Sequence, residues 1–458
     1  MVSLNKRNRK ASRSVPGNGE EARPVDNGLA DTQLTPEAFA GAQAVNLALI
    51  DRLARRAAAA FLGREDYRRQ QISGGLTMHL MLEALPRFVH ELGGQIALAS
   101  RIDQDGEIGD PVTHAVEVDG ESRQILLHGC LFLHFPGERI VLNTELSDRP
   151  MEPVQVTEVR TASDPAEFIK RWEDYSRKHN YLRGRAFFAD GDLIKTTRSY
   201  GWSDIVLSRE AKEAIDLHVL GFLQNRDRLR KLGLKHHRGL ILSGPPGTGK
   251  TLIGKVLAST QKGTSFIWVS PRHIRCPSSF ESILSVARYV SPAIVFFEDI
   301  DVYAEDREFH GGTVLGELMN QLDGAIDNED VLAIATTNRL EVVEKALRNR
   351  PGRFDRVVRI AEMDEDCRRR LLSKVFDRVE VNTDDMEYLV RQTKDFTGSQ
   401  IEELANTVHL LGVTRSNEAS REEIANTDDR LPADRQLLDS ALRDLRVERR
   451  SRMGFHPD

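Results

Sequence analysis

Cysteine is scarce: Cys130, Cys276 and Cys367 are the only three in 458 residues, and none forms a C-x-x-C pair. That excludes a disulfide framework and a zinc finger, and leaves buried thiols in a reducing cytosol as the expectation. Long apolar runs are missing as well. None approaches the ~20 residues that a membrane helix needs, and the basic N-terminus lacks the apolar core of a secretory signal, so the reading is a cytoplasmic protein with no membrane span. His90-Glu91 is not followed by the second histidine of an H-E-x-x-H zinc site. Neither sign of charge dominates. A net charge of -6 and a pI near 6.2 argue against bulk attraction to nucleic acid or anionic membrane.

What is present describes a soluble globular chain, 29% charged and 40% apolar, with a length prior of about three domains of ~150 residues. Residues 1–40 read as a polar tail carrying the basic cluster Lys6 to Lys10, which is solvated, a contact for nucleic acid or an address. Residues 41–160 read as a small α+β domain. One helix is expected from about Gln43 with Leu49, Leu53, Ala57 and Phe61 on a face, and a second carries Leu76, Leu80, Leu85 and Phe88. A meander of strands follows at Val112–Val118, Gln124–His128, Leu131–Phe135 and Arg139–Leu146. His114, His128 and His134 lack metal-ligand spacing there and read as core or hairpin residues. Residues 161–199 read as a connector.

From residue 200 strands and helices alternate, the pattern of a doubly wound parallel sheet, and beyond Asp364 helices alone form a lid, residues 364–458 with the C-terminal tail. The centre of this α/β unit, 200–363, is RGLILSGPPGTGKT. Its Gly244, Gly249, Lys250 and Thr251 fit G-x-x-x-x-G-K-[ST], a phosphate-binding loop between a strand and a helix. The glycines let backbone N–H groups turn toward an anion, the helix adds its positive end, Lys250 brings charge to the β- and γ-phosphates, and the Thr251 hydroxyl is placed for magnesium. Strand Ile294–Phe297 ends in Glu298-Asp299, where carboxylates beside such a loop hold magnesium and polarise a water. We assign Glu298 to the metal and Asp299 to the water. Strand Val331–Ala335 delivers Asn338, whose amide suits both a γ-phosphate and the water. Arg350 and Arg353 flank a Pro-Gly turn that fixes their relative direction; read singly they suit ion pairs with nearby Asp and Glu, or arginines lent by a neighbouring subunit to a transferred phosphoryl group.

In this order GPPGTGKT, SPAIVFFEDID, GELMNQLDG, ATTN and RPGRFDR resemble the AAA family of ATPases, over roughly Tyr200 to Val413. The resemblance implies a P-loop doubly wound sheet with a helical lid, ATP and Mg2+ as ligands, and a homo-oligomeric ring, usually a hexamer. It implies nucleotide contacts from Asp204, Ile205, Gly244, Pro245, Pro246, Gly247, Thr248, Gly249, Lys250, Thr251, Leu252, Gly398 and Ser399. It also implies a metal held by Thr251 and Glu298, and catalysis by Lys250, Asp299, Asn338 and the fingers Arg350 and Arg353. Three departures stand out. Val206 replaces the usual glycine after Asp204-Ile205. The Glu298-Asp299 order reverses the usual one, and is similar to the mitochondrial translocase of the Rieske iron–sulfur protein and its bacterial relatives. The first pore-loop stretch, Ser270 to Pro277, is basic and prolyl where the family places an aromatic grip. Its Arg272, His273 and Arg275 either face a pore or belong to a rigid loop.

The leading functional expectation is ATP-driven remodelling, disassembly or translocation of a protein client. The alternatives are a nucleic-acid-associated ATPase and an ATP-gated scaffold.

Overall fold

The computed structural model describes residues 52–102, 108–147, 154–195, 197–233, 237–305, 318, 321, 330–347, 356–419 and 431–452. The tail, the start of the first expected helix, residues 306–317, and Arg350 and Arg353 lie outside them.

The N-terminal unit opens with helix α1 (52–62), closed by Gly63, which has the left-handed φ of 75° that a helix C-terminus favours. Seven strands follow, interrupted by one helix: β1 (Arg68–Gly74), α2 (Leu76–Glu91), β2 (Gln95–Ile102), β3 (Ile108–Gly109), β4 (Val112–Val118), β5 (Glu121–Phe135), β6 (Glu138–Ser147) and β7 (Val154–Thr161). They build one antiparallel sheet in the order β1-β7-β6-β5-β2-β3, with β4 also on β5. Two of the expected strands are one. Residues 121–135 run through as β5, which pairs β4 along its first half and β2 and β6 along its second. α2 lies on the sheet with Leu80, Leu85 and Phe88 buried. Its Glu83 is buried too, and is held there by Arg87 Nη1 at 2.7 Å and Arg123 Nη1 at 2.9 Å, the pairing a buried carboxylate requires.

The stretch expected as a connector divides between the two units. Helix α3 (Pro165–His179), capped by Asp164, packs on α2, where Trp172 Nε1 donates to the Met81 carbonyl at 2.7 Å. Strand β8 (Ala186–Phe188) instead joins the next sheet as its edge. Its three residues give no periodicity to read, and three hydrogen-bonded pairs with a buried neighbour decide its conformation.

That next sheet is all parallel. Its chain order is α4 (Arg209–Ile215), α5 (Gly221–Lys231), β9 (His237–Ser243), α6 (Lys250–Thr260), β10 (Ser265–Val269), α7 (Ser278–Tyr289), β11 (Ala293–Phe297), α8 (Asp301–Glu305), β12 (Val331–Thr337), α9 (Leu340–Leu347) and β13 (Arg356–Arg359). The strands lie in the order β13-β9-β12-β11-β10-β8. β10, β11 and β12 are buried along their whole length, as strands covered on both faces must be. Alternation sorts their side chains. Ile267, Val269, Val295 and Phe297 join a core shared with α7 and the N-terminal unit, while Phe266, Trp268, Ile294 and Phe296 face α6. At about 1.5–3 kcal/mol for each fully buried large side chain, these two layers hold the strand ends in place. Because the first core runs from Leu80 and Trp172 through Phe187 to Phe280 and Tyr289, the N-terminal unit is seated on the parallel sheet. Arg177 stacks over Tyr289 at 4.9 Å, and Arg185 Nη1 donates to Asp119 at 2.8 Å, across that junction.

The lid comprises α10 (Glu365–Val375), α11 (Thr383–Gln392), α12 (Gly398–Ala419) and α13 (Arg435–Arg452), with a short parallel pair, β14 (Val379–Glu380) and β15 (Leu431–Pro432). Asp364 and Asn382 cap α10 and α11 through Cys367 N and Asp385 N. A separate core around Leu372, Leu389, Leu404 and Leu438 holds the lid together.

Candidate active site

Parallel pairing makes neighbours of residues far apart in sequence. Ser243 ends β9 beside Thr337 of β12, and Phe297 ends β11 beside Ala335 of the same strand. The next residues on each strand are therefore delivered to one edge: the loop from Gly244 to Gly249, the pair Glu298-Asp299, and Asn338. Ligands of open α/β sheets bind at this edge.

The loop takes the shape its glycines permit. Gly247 has φ 76° and Gly249 φ 97°, and Gly249 starts α6 without a side-chain cap, leaving the first N–H groups of that helix for an anion. Lys250 is buried, and its Nζ donates to the carbonyls of Gly244 at 2.7 Å and Pro245 at 2.8 Å. Burial lowers its pKa below the ordinary lysine value, against the pull of Asp299 and Asp301. The ammonium is thus stored on weak carbonyl acceptors, from which a phosphate oxygen, a stronger charge-assisted partner, can draw it.

Thr251 Oγ1 donates to Glu298 Oε1 at 3.0 Å, and Trp268 Nε1 donates to Glu298 Oε2 at 3.2 Å. Asp299 adopts a left-handed φ of 50°, a conformation that Asp and Asn tolerate better than most residues. β12 holds it there: Asp299 N donates to Thr336 Oγ1 at 3.0 Å and Ile300 N to the Thr336 carbonyl at 2.9 Å. Asn338 Nδ2 donates to Asp299 Oδ1 at 3.3 Å, and its backbone N–H to Asp301 Oδ1 at 3.3 Å. Burial first, then the charges of Glu298 and Asp301, raise the Asp299 pKa, with Lys250 and Asn338 opposing. A half-buried carboxylate crowded by two others is a suitable proton acceptor for a bound water.

These groups open on a cleft of about 730 Å³ between the sheet edge and the lid, within the size range of small-molecule sites, ~300–1,000 Å³. Asp204, Ile205, Pro246, Gly247, Thr248, Gly249, Lys250, Thr251, Leu252, Asp299, Asn338, Gly398 and Ser399 all line it. Gly244 and Pro245 stand behind Lys250 as its acceptors, and Glu298 meets the site through Thr251. Lid and loop touch directly, with Ser399 N donating to the Gly247 carbonyl at 3.2 Å. The carboxylate of Asp204 is already paired at the cleft wall: it accepts from Gly201 N at 2.8 Å and pairs with Arg198 at 2.9 Å and Lys374 at 3.5 Å, both of which line the cleft. Sequence reasoning passed over Tyr200, Lys255, Met363, Lys374, Asn406 and His409, which also line the cleft. For the last two a signal existed, since 399, 402, 406 and 409 recur at helical spacing along α12.

The expected pore-loop residues are held against the edge strand. Arg272 stacks over Phe188 at 5.3 Å, and His273 Nδ1 accepts from Ser270 N at 3.0 Å while Nε2 lies 3.6 Å from Asp190. Of the two readings of this stretch, the geometry of Arg272 and His273 is that of a rigid loop.

Residues 240–362 match the family model described as ATPase family associated with various cellular activities (AAA). The chain carries an AAA ATPase domain. It is 34% identical over 245 residues to an ATP-dependent zinc metalloprotease FtsH of Synechococcus sp. (strain JA-2-3B'a(2-13)), covering 50% of this chain and 38% of that protein. It is 32% identical over 222 residues to the 26S protease regulatory subunit 6A of Caenorhabditis elegans, covering 45% and 51%. The chain thus spans about half or less of the length of the curated relatives it matches. Among solved structures, the crystal structure of the FIGL-1 AAA domain superposes with a TM-score of 0.44 at 23% identity, over 53% of this chain and 83% of that one.

AAA domains take ATP with magnesium, and the donor chemistry here fits both. Thr251 and Glu298 offer hard oxygen donors at one point, and among the described residues no group of three or more His, Cys, Asp or Glu forms a cage. Magnesium suits such a site, since it is usually held by one or two protein oxygens together with substrate phosphates and water.

Proposed function

We propose that the chain is a magnesium-dependent ATPase that acts as a ring, usually hexameric, and uses hydrolysis to remodel or move a protein client. One observation carries the catalytic part: Asp299 and Asn338 are joined at the mouth of a phosphate loop whose lysine lies buried behind it. In this reading the N–H groups at the start of α6 bind the phosphates and Lys250 neutralises their charge. Asp299 holds the attacking water and takes its proton, and Asn338 fixes the orientation of Asp299. Bound magnesium, held by Thr251 and Glu298, supplies the positive charge that offsets negative charge building on the phosphoryl oxygens.

The ring is supported by the AAA match over residues 240–362, since AAA domains generally assemble as rings. In this reading Arg350 and Arg353 supply the transition-state arginine of a neighbouring copy. The protein client is supported by the names of the relatives, a protease ATPase and a protease regulatory subunit, and by the folded N-terminal unit seated on the sheet as a recognition module. The nucleic-acid alternative draws no support from the basic loop, since Arg272 and His273 are engaged with Phe188 and Asp190.

Phosphate release and binding of a fluorescent ATP analogue, with and without magnesium, test the reading. Wild type should bind and hydrolyse ATP, and Lys250→Ala should lose binding. A Lys250→Ala protein that turns over ATP at the wild-type rate would overturn it.

A further inference from the structure

We propose that Trp268 is a positioning residue for Glu298, fixing the plane of its carboxylate for the magnesium bound with ATP. The inference rests on the functional reading above and adds a residue that no motif contains. It begins with register. β10 and β11 run parallel with Trp268 opposite Phe296. Side chains two apart on a strand share a face, so Glu298, just past the end of β11, lies diagonally ahead of Trp268, within the reach of an aromatic side chain. The indole packs against Phe296 at a centroid distance of 5.0 Å and Phe266 at 5.9 Å, which leaves its ring a single place to sit. From there Nε1 donates to Glu298 Oε2 at 3.2 Å, while Thr251 Oγ1 donates to Oε1 at 3.0 Å. Both oxygens of a side chain with three free rotors are thereby placed, one by the metal-side hydroxyl and the other by a ring locked in the core. A tryptophan merely satisfying its N–H would accept any nearby acceptor. This one meets the carboxylate that also contacts Thr251.

The test separates positioning from packing. Trp268→Phe keeps an aromatic ring and removes the donor. Calorimetric titration with a non-hydrolysable ATP analogue is run in EDTA and across a magnesium series, for wild type, Trp268→Phe, Glu298→Gln and the double variant. Binding in EDTA should equal wild type, and the gain in affinity on adding magnesium should fall about tenfold, the low end of the range for residues that orient a metal ligand. On the Glu298→Gln background the Trp268 substitution should add nothing. An unchanged magnesium gain overturns the proposal, as does an equal loss in EDTA or a full further loss in the double variant. If Trp268→Phe unfolds, replacing Trp268 with 3-benzothienylalanine keeps the bicyclic shape without the N–H, and the same outcomes apply. Wild type showing no magnesium-dependent nucleotide binding would instead refute the underlying functional reading, and the Trp268 role with it.

Discussion

Replacing Asp299 with asparagine changes one atom and one charge at the point where chemistry is proposed. Asparagine is as tolerant of the left-handed φ of 50° as aspartate, and the backbone bond from residue 299 to Thr336 is untouched, so no strain is introduced. What is lost is the proton acceptor, and general-base catalysis contributes on the order of 10²–10⁴ in rate. ATP binding should persist while turnover falls by that factor. Stability should move the opposite way. The folded-state pKa of Asp299 is raised by burial and by Glu298 and Asp301, so ionising it costs the fold free energy at neutral pH. That cost is absent below the ordinary carboxyl range and complete above the raised value. Asp299→Asn should therefore melt above wild type at pH 7, with the difference closing as pH falls through the raised pKa. Phosphate release, analogue binding and thermal melts at several pH values provide the assay. Wild-type turnover by Asp299→Asn would refute the water-orienting assignment, and a lower melting temperature at pH 7 would refute the electrostatic one.

His79 is half-buried beside His114, with rings 6.0 Å apart, and partial burial with that neighbour pushes its pKa from 6.5 down to about 4. The fold thus prefers neutral His79: the associated stability is complete above pH 6.5 and is lost as pH falls toward 4, by up to about 3 kcal/mol. Chemical denaturation of His79→Leu between pH 7 and 4 should show a flatter pH dependence than wild type. A Cβ at Gly247 would overlap Ser399 Oγ, at a backbone φ of 76°. Gly247→Val should therefore push the lid off the loop and weaken ATP-analogue binding at least tenfold, measured by calorimetry, while a companion Ser399→Ala should recover only part of the loss.

The phosphate loop was legible because its function is written in residue types at fixed spacing, and the strand-end carboxylates because a short apolar run announces them. Other parts were set by partners far away in the chain. β1 reads Arg-Arg-Gln-Gln-Ile-Ser-Gly and has no apolar alternation, and β7 alone makes it a strand. β8 and β13 are short edge strands, completed by hydrogen bonds to β10 and β9. The split of residues 124–135 into two strands followed local pattern, whereas β5 is continuous through Gly129, whose φ of 149° carries the chain across the change of partners. Within the site, sequence located Asp204 but not the use of its carboxylate, because Arg198, Gly201 and Lys374 reach it only in the fold. Trp268 carries no motif, and only the register of β10 on β11 reveals where its N–H points.

The central claim, that two copies complete each ATP site, is tested most directly by subunit mixing. Lys250→Ala subunits keep their arginines, and subunits with Arg350→Ala and Arg353→Ala keep Lys250 and Asp299. Each preparation alone should be nearly inactive, and phosphate release should reappear when the two are mixed and allowed to assemble. An arginine-deficient preparation that hydrolyses ATP at the wild-type rate when dilute and monomeric would contradict the account.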